Sequence, residues 1–122
     1  MTYSKNEDVN HRLDLSESSL EHQKEMVDNC RERAYRWILH QFARRGKTAP
    51  SDDPLKAGDQ ILIDVEADIS AYFYRRDRAE FSEEEKGYKQ LIWKKNAEEL
   101  LNDYLRSKYP DTYYAVNPGG CD

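Results

Sequence analysis

The chain has 122 residues, enough for one domain and too few for two ordinary ones, and its 19 basic and 24 acidic side chains leave a formal net charge of −5. Charged residues make up 35% of it and apolar ones 38%, with a mean hydropathy of −1.05, yet 9 Tyr, 3 Phe and 2 Trp set it apart from the aromatic-poor composition of disordered chains. No run of about 18 apolar residues is present to suggest a membrane span, the first residues lack the apolar stretch of a signal peptide, and the acid excess disfavours wrapping DNA, which depends on phosphate neutralisation.

The composition is that of amphipathic helices with charged outer faces. A first short helix is expected over 5–12, ending near Leu13, with Ser4 and Glu7 at capping-box spacing. Leu13-Asp14-Leu15-Ser16 reads as a turn. A long helix follows over about 19–45, where Ser18 and Glu21 repeat the capping spacing. In it Val27, Cys30, Ala34, Trp37, Ile38, Gln41 and Phe42 recur every three or four residues and form one apolar stripe. Arg44, Arg45 and Lys47 sit where the helix dipole favours cations, and Gly46 suits the left-handed position that closes a helix.

Residues 46–53 read as a loop, and Asp53-Pro54 as the cap and first position of a third helix over about 54–77. There Leu62, Val65, Ile69, Tyr72 and Phe73, with Ile61, Ile63, Ala67, Ala71 and Tyr74, cover most of the circumference, so this helix is expected at the centre. Asp64, Glu66 and Asp68 are expected to share its remaining exposed strip. After a turn at 75–81, Ser82 and Glu85 give a third capping spacing before a last helix over about 83–108. Its core positions are Tyr88, Leu91, Ile92, Trp93, Ala97, Leu100, Leu101, Tyr104 and Leu105. At 1.5 Å per residue it is roughly 39 Å long, more than so small a unit needs, so part of it is expected to project or to pack on another subunit. Pro110 ends the helices. The expected fold is therefore all-α: a short N-terminal helix and three longer ones in a small bundle over 1–109, with an extended tail over 110–122. Within that tail Thr112, Tyr113, Tyr114, Ala115 and Val116 are strand formers with no other strand in the chain to pair with, and they are expected to meet a sheet edge on a partner.

No catalytic, metal or cofactor-binding constellation is expected. His11, His22 and His40 are scattered, and only His22 with Glu25 has ligand-like spacing. Cys30 lies in an apolar stripe with no histidine placed to activate it, and Cys121 stands 91 positions further on, so neither a disulfide nor a zinc pair is expected and a reducing compartment is the default. Asp64 and Asp68 are one helical turn apart, a spacing open to a divalent ion but better read as solvated surface. Arg31, Arg33 and Arg36, then Arg44, Arg45 and Lys47, then Arg75, Arg76 and Arg78 are candidates for a phosphate-tracking surface, each offset by nearby acids. Tyr72, Tyr74, Tyr88 and Tyr104 suit core or interface anchors better than base-stacking platforms.

Taken in order, Thr2-Tyr3-Ser4…Glu7-Asp8-Val9…Arg12-Leu13, then Val27…Cys30…Ala34-Tyr35-Arg36-Trp37-Ile38, then Leu62…Val65…Asp68-Ile69…Ala71-Tyr72…Tyr74-Arg75-Arg76, then Tyr88…Leu91-Ile92 with Trp93 to Leu101, resemble the head–tail connector (adaptor) proteins of tailed phages. The resemblance covers about residues 2–108 and leaves out the tail. It implies a non-enzymatic structural protein of the virion neck, assembled in the host cytoplasm as a homo-oligomeric ring, commonly a dodecamer. Its implied partners are the portal protein above and a stopper or tail-completion protein below, with DNA as weakly contacted passing cargo and no membrane or cofactor. The main alternative, carried by the arginine clusters, is a small helical nucleic-acid-binding or regulatory protein. A weaker third is a metal-dependent enzyme built on His22, Glu25 and the 64–68 acids.

Overall fold

The computed structural model describes residues 2–13, 17–78 and 83–110; the side chains of 17–22, 77–78 and 83–91 fall outside that description. Among the described residues are four α-helices and no strand: α1 (Asn6–Leu13), α2 (Glu17–Ala43), α3 (Ile61–Arg78) and α4 (Glu83–Lys108), with a 3₁₀ turn over Ala57–Asp59. The fold is a small all-α bundle, as the patterning implies. The candidate tail strand, Thr112 to Val116, lies outside the described residues, as do Leu15, Ser82 and Cys121.

α3 packs against each of the other three helices. Leu62, Val65, Ala67, Ile69 and Ala71 are fully enclosed, and Phe73 and Tyr74 nearly so, which is the burial expected of a helix apolar on most sides. α2 presents Val27, Cys30, Ala34, Trp37, Ile38 and Phe42 to this core, and α4 contributes Ala97, Leu101 and Leu105. Tyr72, Trp93, Leu100 and Tyr104 pack against the core while remaining partly exposed. Leu91 lies outside the described side chains. Ile92 departs from the expectation: it is 39% exposed, because the stripe that faces α3 runs through Ala97, Leu101 and Leu105 and turns Ile92 outward.

Helix boundaries follow local chemistry, with three departures from the sequence patterns. α1 is not opened by a Ser4–Glu7 box: the Ser4 hydroxyl donates to Glu66, and the Lys5 N–H donates to Asp8 Oδ2 at 2.8 Å, so only the carboxylate half of a capping box forms, one residue later than the spacing suggests. α2 already includes Ser18, which therefore does not precede it. At its other end Gly46 takes φ +66°, its N–H bonds the Ala43 carbonyl at 2.9 Å, and Lys47 N–H reaches back to the Phe42 carbonyl at 3.0 Å. That is the double bond pattern of a left-handed helix closure.

The largest departure concerns the start of α3. Asp53-Pro54 does not open it; the peptide there is cis, and the chain runs irregularly to the 3₁₀ turn before the helix begins at Ile61. Leu55 is buried under this segment, Gly58 weakens helix continuation, and the Asp59 side chain is committed to α4 rather than to a cap.

Candidate functional site

The first polar cluster encloses the N-terminal segment. Glu66 of α3 is fully buried and accepts the Tyr3 N–H at 2.9 Å, the Ser4 N–H at 2.9 Å and the Ser4 hydroxyl. Arg31 of α2 closes the cluster from the other side, donating to Asn6 Oδ1 at 2.7 Å, to the Ser4 carbonyl and to the Thr2 hydroxyl. The Tyr3 hydroxyl donates to the Pro50 carbonyl at 2.7 Å, and its ring meets Tyr35 edge-on with centroids 5.2 Å apart. Burial pushes the Glu66 carboxyl above its ordinary range, against the opposing pull of the Ser4 and Tyr3 bonds and the Arg31 charge. With three donors already on it, this carboxylate is a structural tie.

Asp68, two positions on, is also buried, and Arg12 of α1 reaches it at 2.6 Å while touching exposed Asp64 at 3.2 Å. Burial raises the Asp68 carboxyl, and the Arg12 bond opposes the rise. Arg75 donates to the Leu13 carbonyl at 2.8 Å and so satisfies an orphan acceptor at the end of α1. The expected exposed strip of Asp64, Glu66 and Asp68 is therefore corrected. Only Asp64 faces solvent, because the N-terminal segment and α1 bring donors that draw the other two inside.

The second cluster borders an open groove. Asp59, on the 3₁₀ turn, accepts the Tyr104 hydroxyl at 2.6 Å and the Lys108 ammonium at 3.0 Å, and Lys108 also lies 3.0 Å from the Tyr104 oxygen. The Tyr104 bond, with Lys108 beside it, holds the Asp59 carboxyl below its usual range. Burial and the neighbouring Asp59 push the Tyr104 phenol up to about 12. Beside this triad a hollow of about 470 Å³ is floored by Ile61, Leu100 and the Tyr104 side chain and edged by Asp103. A second hollow, of about 340 Å³, shares Leu100 and Asp103 with it and adds Asp68, Asn96 and Glu99. Adjoining at Leu100 and Asp103, they make a groove along α4 with an apolar floor and a rim of Asp103, Glu99 and Lys108, the last already paired with Asp59.

The histidine and cysteine candidates do not converge. His11 and His40 are exposed on different helices, His22 lies outside the described side chains, and Cys30 is buried among apolar neighbours. Among the described residues no group of three or more His, Cys, Asp or Glu is placed to hold a metal ion. Arg33 of α2 and Arg76 of α3 come together over the Phe73 ring, at 4.6 and 4.8 Å from its centroid, a stacking arrangement that arginine favours. Tyr74 is buried and Tyr72 partly so, while Tyr88 is outside the described side chains. Sequence patterning missed the groove because Asp59 reads as part of a helix and Asp103 as ordinary surface. The available signal was Tyr104 and Lys108 at i, i+4 spacing, which aligns a phenol and an ammonium on one face. No helix of the described residues is long and apolar enough to cross a membrane.

No family model, curated protein or solved structure matches this chain.

Proposed function

We propose that the chain is a head–tail connector of a tailed phage: a non-catalytic subunit of a neck ring, commonly of twelve copies, between the portal and a stopper or tail-completion protein. The observation that carries this reading is the arrangement of a short α1 and long α2 and α4 around a central α3, in the order that the resemblance implies. The charge supports it. Twelve copies at −5 each sum to about −60, and an acidic lumen repels DNA, so the duplex slides through rather than adhering. Residues 111–122, rich in strand formers, supply an arm for a neighbouring sheet edge. Electron microscopy of purified virions tests the reading: density for this chain is expected in a ring below the portal, and its absence from the neck overturns the proposal. Deleting residues 111–122 is expected to leave the melting of the isolated protein unchanged while abolishing docking to the portal ring.

A second reading, a small nucleic-acid-binding or regulatory protein, is favoured by the convergence of Arg33 and Arg76 on Phe73. A salt-dependent gel shift of DNA fragments is its test, and no shift near physiological salt, roughly 0.15 M, ends it.

A further inference from the structure

The groove along α4 has a complement on the same molecule. Its floor is Ile61, Leu100 and Tyr104, and its rim carries Asp103 and Glu99, both exposed and one turn apart, with Lys108 beside them held by Asp59. Asp59 and Asp68 lie deeper and already engage Lys108 and Arg12. A segment that fills this space needs an apolar knob flanked by positive charge.

The C-terminal half of α2 has that chemistry. From Arg33 to Lys47 the chain holds Arg33, Arg36, Arg44, Arg45 and Lys47, with His40, and not one Asp or Glu. Glu32, the last acid before this stretch, lies about one turn ahead of Arg36. Arg36, Leu39, His40 and Ala43 are all exposed and stand at i, i+3, i+4 and i+7, so they share one helical face. Leu39 is 36% exposed and, with Ile92, is one of two large hydrophobics so placed among the described residues. α2 turns its opposite stripe to the core, so among the described residues this face stays exposed.

We propose that a second copy of this chain seats the Arg36–Leu39–His40–Ala43 face of its α2 in the acid-rimmed groove between the 3₁₀ turn and α4, joining copies head to tail. Leu39 enters over Ile61 and Leu100, and Arg36 meets the carboxylates of Asp103 and Glu99. The two surfaces are different parts of one chain, so the contact is heterologous: a series of copies keeps a free groove at one end and a free α2 face at the other, and it closes into a ring or runs on. Charge complementarity also makes association weaken with salt. The contact stands on these two faces alone and is read on purified protein, so it fails or survives separately from the neck assignment.

Sedimentation of the full chain tests it. At about 100 µM and low salt, where a contact of micromolar strength is saturated, the mass is expected to grow with concentration to several times the 14.4 kDa of one chain, and to fall in 0.5 M salt, roughly a 4 Å screening length. Arg36→Glu and Asp103→Arg are each expected to leave a monomer with wild-type circular dichroism and melting, since both residues are exposed. An equimolar mixture of the two variants is expected to assemble again: the Asp103→Arg chain keeps an intact α2 face, the Arg36→Glu chain keeps an intact groove, and at the alternate contact the two reversed charges again face each other with opposite sign. Leu39→Ser replaces Arg36→Glu if the latter misfolds. A wild-type chain that stays monomeric, variants that assemble like the wild type, or a mixture that remains monomeric each overturn the proposal. Single variants that stop at dimers also overturn it, because they indicate a symmetric contact.

Discussion

On one side of α3, Glu66 is sealed by the chain's own N-terminal segment and by Arg31; on the other, Asp59 and its neighbours border a groove that the described residues leave open. Both regions use carboxylates with hydrogen-bonded partners, but they differ in what closes over them. Around Glu66 two backbone N–H groups and a hydroxyl occupy the carboxylate, and the Arg31 guanidinium ties the same N-terminal segment from the other side through the Ser4 carbonyl and Asn6. Around Asp59 the phenol and the ammonium hold a single carboxylate in place, while Asp103 and Glu99 extend acidic charge past an apolar floor. A buried acid by itself therefore says little about function here. What separates tie from site is whether the same chain completes the desolvation.

The comparison breaks most sharply at Glu66. Glu66→Ala leaves three donors, buried or partly buried, without their acceptor and takes a negative charge from near Arg31, a change expected to cost about 3–5 kcal/mol in urea denaturation. A loss below about 1 kcal/mol there would mean that the N-terminal segment is dispensable to the fold. Ile69→Ala, at a fully buried position of α3, is expected to cost about 2–5 kcal/mol by leaving a cavity, and to loosen both sides together because α3 supports both.

Acidity distinguishes the two sides by sign. Glu66 has its carboxyl raised from 4.5 by burial, so its contribution is full below that value and is lost as pH rises through the raised value; the stability gap between wild type and Glu66→Ala is expected to narrow over that interval. Asp59 is lowered from 3.8 by the Tyr104 bond, so its contribution is full above 3.8 and is lost as pH falls through the lowered value; the gap between wild type and Asp59→Asn is expected to close there. Stability measured against pH for the three proteins checks both slopes.

Much of the scaffold is legible from residue order, and the reasons are local. The all-round apolar character of 61–74 placed α3 at the centre, and the three- and four-residue recurrence from Val27 to Phe42 marked the buried stripe of α2. Gly46 after a basic last turn marked where α2 stops, because only a local backbone conformation was at stake. The polar ties were not legible. Ser4 meets Glu66 across 62 positions, Arg12 meets Asp68 across 56, and Tyr104 meets Asp59 across 45, and no helical periodicity pairs residues so far apart. The same distance misled the reading of α3's beginning: Asp53-Pro54 has the local chemistry of a helix start, but Leu55 and Asp59 are held by tertiary contacts that keep 55–60 out of the helix.

The groove side yields smaller effects. Tyr104→Phe deletes the hydroxyl from Asp59 and Lys108 and is expected to cost about 1 kcal/mol. In the wild type the phenol, raised from 10.0 to about 12, is expected to ionise late in an ultraviolet titration, and Asp59→Asn to bring it back toward 10.0 by removing the negative neighbour. The smallest change in stability is expected from Asp103→Asn: the residue is exposed on the groove rim, and such substitutions usually stay within about 0.5 kcal/mol. Its consequence belongs to association. If Asp103 is there to meet a cation on a second copy, Asp103→Asn weakens self-association at low salt while urea midpoints stay level, and the difference between variant and wild type shrinks as salt screens the charge. A variant that loses stability in step with association would place Asp103 inside the fold's own support, on the same footing as Glu66, and the contrast between the two sides of α3 would vanish.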